Sequence, residues 1–484
     1  MEVSRLVRMI LACLLIFGLG LVDSLTVGQQ SLAAGDTIYV DAGATGAKDG
    51  ISWTNAFTDL QTALDAVEAG QEIWVAAGVY TPTLEADPGD PRSAAFQMAN
   101  GVGIYGGFDP AAGDTGWEDR DWVSNQTILS GDLGGNDGPD SANNEENSYH
   151  VFYHPSELAL DSTAILDGFT VVGGNSDTDS APNNAGGGMH NVDSSPTVAN
   201  CTFSGNMAYF VDEVLTGAGG GIYNRNASPA VTDCAFLGNS AFFGGGMFNV
   251  DSSPAVTNCI FSGNSVATEG GGMLNYGSSP AVTNCTFSGN WTNWGGSHGG
   301  GMYNWASSSP LVTNCTFLDN RAKDDGGGMA NEYSSPTLVN CTFSGNRSEY
   351  ASGGGLYNTY SSSPTLTNCI LWGDTAGGLP EEMYNHDADS VPVVTYSDIQ
   401  GGYSGTGNID DDPLFVDAVN GDLHLSAESP CIDAGSNDAP HLPDGDFEGQ
   451  TRIVDGDRDG TATVDMGVDE VLLRLYLPLV LTGD

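Results

Sequence analysis

The stretch Ser279-Pro280-Ala281-Val282-Thr283-Asn284-Cys285-Thr286-Phe287-Ser288-Gly289-Asn290 decides the fold, because it recurs along the chain. A block of three glycines and one apolar residue precedes each copy, as at Gly270–Met273. Seven copies are marked by cysteines that are 25 to 33 residues apart: Cys201, Cys234, Cys259, Cys285, Cys315, Cys341 and Cys369. Self-similarity at such a period is typical of repeat architectures, in which each repeat forms one structural unit.

The pattern within each copy predicts where the chain turns. Apolar side chains lie three residues before the cysteine and two residues after it, as Val282 and Phe287 do. Asparagine tolerates left-handed backbone, so we predict a corner between two short strands at the residue before each cysteine. These corner residues are Asn200, Asp233, Asn258, Asn284, Asn314, Asn340 and Asn368. The glycine block predicts another strand, closed by a second corner at Asn191, Asn224, Asn249, Asn275, Asn304, Asn331 and Asn358.

Short strands, regular corners and this period predict an all-β fold, a right-handed parallel β-helix (solenoid) whose turns stack at about 4.8 Å. Equivalent Val, Cys, Phe, Met and Asn side chains would then form ladders. The cysteines are interpreted as buried thiols, because the turn spacing exceeds the β-carbon separation of a disulfide. A propeller is excluded, because it needs four strands in about 40–45 residues. Helical spacing of Ala56, Leu60, Ala63, Leu64 and Val67 predicts a short N-terminal capping helix.

These patterns divide the chain into five segments. Residues 1–33 carry two arginines before an apolar run and predict a signal peptide, and therefore a secreted, extracellular or cell-surface bacterial protein. Residues 34–180 are predicted to form the N-terminal cap and irregular β-helix turns, and residues 181–375 the seven regular repeats. Residues 376–470 predict C-terminal turns with acidic loops. The apolar tail 471–484 is interpreted as a cap or a sorting signal, and no segment is predicted to span a membrane.

The charge balance disfavours several classes of partner. The chain has 62 acidic and 12 basic residues, which gives a formal net charge of −50. Such a charge predicts that the protein binds no nucleic acid and no anionic lipid surface. The basic residues of the repeats are scattered and are interpreted as standing alone: Arg225, Arg321, Lys323 and Arg347.

One enlarged turn carries a cluster of ring side chains: Trp291, Trp294, His298, Tyr303 and Trp305. Exposed aromatic rings can stack on sugar rings, so the cluster predicts binding of a polysaccharide or another cell-surface ligand. The alternative is stacking between turns that only stabilises the solenoid. Outward positions just after the apolar residue of the glycine block predict a partial aromatic stripe, formed by Tyr223, Phe248, Tyr303 and Tyr357.

Acidic residues near the C-terminus follow the spacing of calcium-binding loops, in which oxygen ligands alternate around a glycine turn. Two overlapping sets are Asp444, Asp446, Glu448 and Asp455, followed by Asp455, Asp457, Asp459 and Asp465. The second set has Met466 at its twelfth position, where a ligand is expected. Calcium is therefore the one cofactor that the sequence predicts.

The repeats resemble those of chlamydial polymorphic outer-membrane proteins. The family units Gly-Gly-Ala-Ile and Phe-x-x-Asn are similar to Gly270–Met273 and Phe261–Asn264. The chain from about residue 36 to 470 also resembles bacterial secreted right-handed β-helix repeat proteins with a choice-of-anchor C-terminal module. Matching segments include Ile165–Thr170 and Ser429–Gly435. The resemblance implies the fold and a location outside the cell, and it implies no activity.

Three functions follow as hypotheses. The leading hypothesis is a non-catalytic, adhesin-like β-helix protein that binds glycans or surfaces. The first alternative is a carbohydrate-active enzyme, a polysaccharide hydrolase or lyase on the same fold. No catalytic residue is predicted, because no histidine, arginine and carboxylate cluster is visible in the sequence. The second alternative is a structural envelope protein without a specific ligand.

Overall fold

The structure is a computed structural model that describes residues 37–138, 142–208 and 217–471. The predicted signal peptide (1–33) lies outside the described residues. The predicted apolar tail (471–484) also lies outside the described residues, except for Val471.

Two parallel sheets run along the whole β-helix, and neighbouring strands in each come from successive turns of the chain. Sheet 1 consists of Thr37–Val40, Glu72–Ala76, Gly103–Phe108, Ile165–Asp167, Thr197–Ala199, Ala230–Thr232, Ala255–Thr257, Ala281–Thr283, Leu311–Thr313, Thr337–Val339, Thr365–Thr367 and Val393–Thr395. Sheet 2 consists of Gly78–Tyr80, Thr127–Ser130, Thr170–Val172, Thr202–Ser204, Ala235–Leu237, Ile260–Ser262, Thr286–Ser288, Thr316–Leu318, Thr342–Ser344, Ile370–Trp372 and Asp398–Ile399. The strand directions and order are those of the predicted parallel β-helix.

Two shorter sheets complete each regular turn. Sheet 3 consists of Met207–Ala208, Ser240–Ala241, Ser265–Val266, Trp291–Thr292, Arg321–Ala322, Arg347–Ser348, Thr375–Ala376 and the antiparallel Leu379–Pro380. Sheet 4 consists of Phe152–His154, Met189–Val192, Ile222–Arg225, Met247–Val250, Met273–Tyr276, Met302–Trp305, Met329–Glu332, Leu356–Thr359 and Met383–Asn385. The chain therefore passes through sheets 4, 1, 2 and 3 in each repeat.

The ends of the β-helix differ from its regular turns. Helix α1 (Leu60–Ala66) begins at the N-cap Asp59 and packs Leu60 and Ala63 into the core, which confirms the predicted capping helix. The 3₁₀ helices are Trp53–Asn55, Pro91–Ser93, Trp117–Asp119 and Ala418–Asn420. The last β-helix strand ends at Ile399, and a ribbon of Phe415–Asp417 and Asp422–Leu425 follows. Within the described residues, no helix is both long and apolar enough to cross a bilayer.

The predicted first corner and the predicted ladders are confirmed. The residue before each cysteine has a positive φ of 50° to 56° in all seven repeats. Val198 pairs with Val231 and Phe203 with Phe236, and this register continues through the repeats. Neighbouring phenylalanine rings of the ladder stack with centroids 4.4 to 5.2 Å apart. The seven repeat cysteines and Cys431 are buried and free.

The prediction for the second corner is wrong. Asn275 is the third residue of its strand in sheet 4, is buried, and donates a hydrogen bond to Oδ1 of Asn304 at 2.9 Å. The same bond joins each successive pair of these asparagines from Asn191 to Asn385. The corner lies two residues later, for example at Gly277 with φ 59°. A fully bonded amide ladder holds these asparagines inside the core, which outweighs their preference for turns.

Sheet 3 and its asparagine ladder are features that sequence reasoning missed. The chain turns at Gly289, whose φ is 60°, and places Asn290 inside the core. The following strand has two residues, with Trp291 facing outward and Thr292 buried. A two-residue strand is too short to show a periodic pattern, so the sequence carries no signal for it.

The glycine blocks allow the backbones of successive turns to approach closely. A β-carbon on Gly300 or Gly301 would lie 2.5 or 2.6 Å from a carbonyl oxygen of the next turn. A β-carbon on Gly299, where φ is 66°, would meet Tyr303 Cβ at 2.8 Å. The start of this block therefore lies against the outer face of sheet 4, and the preceding residue, His298, lines the candidate site.

Candidate functional site

The five predicted ring residues lie on two different surfaces, the outward side of sheet 3 and the outer face of sheet 4. Trp291 and Trp294 are exposed on the side of sheet 3, at 37% and 41% of their full area. His298 and Tyr303 pack against each other on the outer face of sheet 4, with ring centroids 5.9 Å apart. Trp305 lies further along the same strand and contacts Tyr276 edge-on. The structure therefore does not form one aromatic patch from the five residues.

A cleft of about 250 Å³ opens on the outer face of sheet 4. Its lining residues are His298, Tyr303, Asn331, Glu332, Tyr357, Thr359, Tyr360 and His386. Tyr303, Ala330 and Tyr357 occupy the same position in three successive strands. Ala330 is fully buried between the two tyrosines and does not line the cleft, and the tyrosines themselves are mostly buried.

Polar groups converge in the cleft. The hydroxyl of Tyr303 donates a hydrogen bond to Oε2 of Glu332 at 2.6 Å. Nδ1 of His298 lies 3.4 Å from Oδ2 of Asp325, which is the distance of an ion pair. The ring of His298 is parallel to the ring of Tyr357, with centroids 6.1 Å apart. The cleft therefore combines aromatic faces with a carboxylate and an imidazole.

Burial and charge shift the pKa values of these groups. Burial raises the pKa of Glu269, which occupies the position of His298 in the preceding turn, and the charge of Glu332 raises it further. Burial lowers the pKa of His298, but its hydrogen bond and charge interaction with Asp325 outweigh burial, so the pKa lies above its ordinary value. Burial raises the pKa of Tyr357 to about 12. His298 and Tyr357 line the cleft, and Glu269 interacts by charge with His298. Shifted groups that cluster at a cleft mark a candidate functional site.

The repeats provide an internal comparison for this site. The stacked positions that hold Glu269, His298 and Asp325 carry Ala185, Ala218 and Phe243 in the three earlier turns. At the position of Tyr303, the two preceding turns carry Phe248 and Leu274. At the position of Glu332, the three preceding turns carry Val250, Tyr276 and Trp305. Because other turns fold with apolar residues at these positions, stability does not require ionisable groups here, and burying such groups costs folding free energy.

Two exposed tyrosines extend the cleft along its rim. Tyr333 and Tyr360 are each 52% exposed, and their rings stack with centroids 4.6 Å apart. Both residues have left-handed backbone, with φ of 51° and 52°. Earlier turns place Asp193, Asn226, Asp251 and Gly277 at this corner. Asn, Asp and Gly suit left-handed backbone better than tyrosine does, so the tyrosines are stabilised here by neither conformation nor burial.

The structure gathers only part of the predicted calcium ligands. Oxygens of Asp455 and Asp457 lie within 4.8 Å of each other and of Asp433, which sequence reasoning missed. The buried carboxylate of Asp446 accepts hydrogen bonds from the main-chain N–H groups of Glu448, Gln450 and Glu470. Asp465 is also buried and accepts bonds from the N–H groups of Asp433 and Val471. Asp444, Glu448 and Asp459 are exposed. Calcium binding stays a prediction.

The match to a known family agrees with the fold. A family described as "Right handed beta helix region" matches residues 188–371, which confirms the predicted fold and its hand for the regular repeats. A solved structure described as "Crystal structure of pectate lyase Pel9A" aligns with a TM-score of 0.44 and 13% sequence identity. That alignment covers 91% of this chain and 98% of the pectate lyase chain. Among curated proteins, no match to this sequence is found.

Proposed function

We propose that this right-handed β-helix protein acts outside the cell as a non-catalytic, adhesin-like protein that binds a neutral glycan. The cleft between Tyr303 and Tyr357 carries this proposal, because it combines aromatic faces with hydrogen-bonding groups on one concave surface. Sites for small ligands have this composition, with apolar and aromatic walls and a few convergent polar groups. The predicted signal peptide supports the location outside the cell.

The chemistry of the cleft favours a neutral sugar. The ring of Tyr360, which is half exposed, offers apolar surface to the C–H groups of a sugar ring. Glu332 has a second carboxylate oxygen, Oε1, which can accept a hydrogen bond from a sugar hydroxyl. The carboxylates of Glu269, Asp325 and Glu332 all act on this region and repel an anionic sugar.

The size of the cleft favours one sugar unit of a longer chain. Its volume of about 250 Å³ is slightly below the roughly 300–1,000 Å³ of pockets that enclose a whole small molecule. The exposed rings of Tyr333 and Tyr360 continue the aromatic surface beyond the cleft. A polysaccharide could therefore place one unit in the cleft and a neighbouring unit on the rim.

The first test compares two exposed tyrosines. A panel of neutral polysaccharides is titrated onto the protein from residue 34 onward, and the ligand with the highest affinity is kept. We expect Tyr360→Ala to weaken binding by about 5- to 12-fold, because a stacked ring contributes roughly 1–1.5 kcal/mol. Tyr276→Ala is the control, because Tyr276 is also exposed and does not line the cleft. Equal weakening by both variants, or no binding to any glycan by folded protein, contradicts the proposal.

Carbohydrate hydrolysis is a second candidate function that one observation favours. Glu269 has a raised pKa beside Glu332, and a pair of carboxyl groups in different environments is the arrangement used by glycoside hydrolases. The discriminating measurement is the release of sugar ends from the bound glycan. Release that Glu332→Gln abolishes would assign a catalytic function to the cleft. Binding without release leaves the non-catalytic proposal standing.

A further inference from the structure

The outward side of sheet 3 brings together three of the 12 basic residues of the chain. Trp291 pairs with Arg321 in the next strand, and Arg321 pairs with Arg347 in the strand after it. Lys323 follows two residues after Arg321. The interpretation of Arg321, Lys323 and Arg347 as isolated is therefore wrong, because residues about 26 apart in sequence become neighbours when the turns stack. We name these residues, together with Trp294, Glu349 and Tyr350, the aromatic–basic face.

The two stacked arginines are unfavourable for stability when nothing is bound. Like charges directly opposite each other on neighbouring strands destabilise a sheet. Other turns carry Ser240, Ser265 and Thr375 at the position of these arginines, so the fold accepts small neutral side chains there. An arginine pair that the fold does not need indicates a surface where positive charge serves another purpose.

The face remains positive after its internal ion pairs are counted. Glu349 pairs with Arg321, and its carboxylate also accepts from Nζ of Lys323 at 2.8 Å. The hydrogen bond from Lys323 is the main reason that the pKa of Glu349 lies below its ordinary value. Arg347 forms no ion pair within the described ranges of the chain. Within the described ranges, Glu349 therefore is the one carboxylate that forms ion pairs with these three cations, and it pairs with two of them. The formal net charge of the whole protein is −50.

Exposed rings flank these cations. Trp291, Trp294 and Tyr350 are 37%, 41% and 71% exposed. Nζ of Lys323 lies 4.9 Å from the centroid of the Tyr350 ring, which holds the lysine on this face. Aromatic surface beside guanidinium groups suits a ligand that has both ring faces and negative charges.

We propose that the aromatic–basic face binds an acidic polysaccharide, with a carboxylate or sulfate on Arg321 and Arg347 and a sugar ring on Trp291. The planar guanidinium group binds such oxyanions with two parallel hydrogen bonds. The strongly negative remainder of the surface repels a polyanion, so binding is confined to this face. The inference is independent of the cleft on sheet 4, because that cleft presents carboxylates and is proposed to take a neutral sugar.

The test uses matched variants of the protein from residue 34 onward, with alginate as a polyuronate and dextran sulfate as a sulfated polymer. We expect Arg347→Gln to weaken binding of the preferred polymer by about fivefold or more, since a charged hydrogen-bond partner is lost. Arg225→Gln is the control, because it removes one positive charge from an exposed arginine on sheet 4. Glu349→Gln is expected to strengthen binding by about two- to threefold, because it frees Arg321 and Lys323 from their partner.

The outcomes separate the proposal from its rivals. Binding of alginate identifies a carboxylate ligand and binding of dextran sulfate a sulfate ligand, and either result supports the proposal. Weakening by added salt and by Trp291→Ala, at unchanged melting temperature, supports it as well. Equal weakening by Arg347→Gln and Arg225→Gln overturns it, because net charge alone then explains binding. Tighter binding of single-stranded DNA than of both polymers, or no binding by folded protein, also overturns it.

Discussion

Asn290→Ala is expected to lower the free energy of unfolding by at least about 4 kcal/mol, or to prevent folding. The side chain of Asn290 takes part in four hydrogen bonds inside the core. Its Nδ2 donates to the carbonyl oxygen of Phe261 at 2.8 Å and to Oδ1 of Asn320 at 2.9 Å. Its Oδ1 accepts from the main-chain N–H and from Nδ2 of Asn264 at 3.0 and 2.9 Å. Alanine would remove all four bonds, at about 1 kcal/mol each on average. The main-chain N–H of Asn264 would lose its acceptor inside the core, while Oδ1 of Asn320 and Nδ2 of Asn264 would each keep one other bond.

The control is Asn284→Gly in the same repeat. Asn284 lies at the corner with φ 52°, where glycine adopts the same backbone without strain. The hydrogen bond between its side chain and Asn258 is exposed, so we expect the free energy of unfolding to fall by less than about 1 kcal/mol. Urea unfolding monitored by circular dichroism measures both variants. Similar losses in the two variants would show that the buried amide ladder does not stabilise the solenoid more than the corner does.

Glu332→Gln is expected to weaken glycan binding by about 10- to 100-fold, which corresponds to the roughly 1.5–3 kcal/mol of a hydrogen bond to a charged group. Glutamine has nearly the same shape, and its amide oxygen can still accept from Tyr303, so the cleft is expected to keep its form. The loss of affinity therefore measures how much the negative charge of Glu332 strengthens its hydrogen bond with the sugar hydroxyl. Titration calorimetry with the glycan selected from the panel measures the change.

The control for this variant is Glu118→Gln, which removes the same charge from an exposed position. We expect its affinity to equal that of the unchanged protein, and we expect both variants to melt at nearly the same temperature. Unchanged affinity in Glu332→Gln would show that the carboxylate of Glu332 does not contact the bound sugar. This would hold even if the tyrosines of the cleft bind the sugar.

The architecture of the regular repeats could be predicted because every turn carries the same sequence pattern around its cysteine. The asparagine before each cysteine marks the corner, and the residues three before and two after the cysteine mark the core. The glycine blocks could be recognised as strands, but their asparagines were placed at a corner, since asparagine is common both in turns and in buried amide ladders. Only the pairing between turns distinguishes these two roles.

The cleft could not be predicted, because it is assembled from different turns. Glu269, His298 and Asp325 are separated by about one repeat each, and they become neighbours only through the register of the stack. The aromatic cluster in the sequence contributes His298 and Tyr303 to the cleft, while Trp291 and Trp294 belong to sheet 3. Alignment of the repeats would have shown the signal, namely ionisable residues at positions where other turns are apolar.

The most direct measurement of the central claim is a histidine-selective NMR titration with the bound neutral glycan. The chain has seven histidines, and two of them, His298 and His386, line the cleft. We expect the signals of these two to shift at saturation, while His150 and His154, which are buried elsewhere, stay unchanged. A glycan that binds and leaves the signals of His298 and His386 in place would contradict the assignment of the cleft as the binding site.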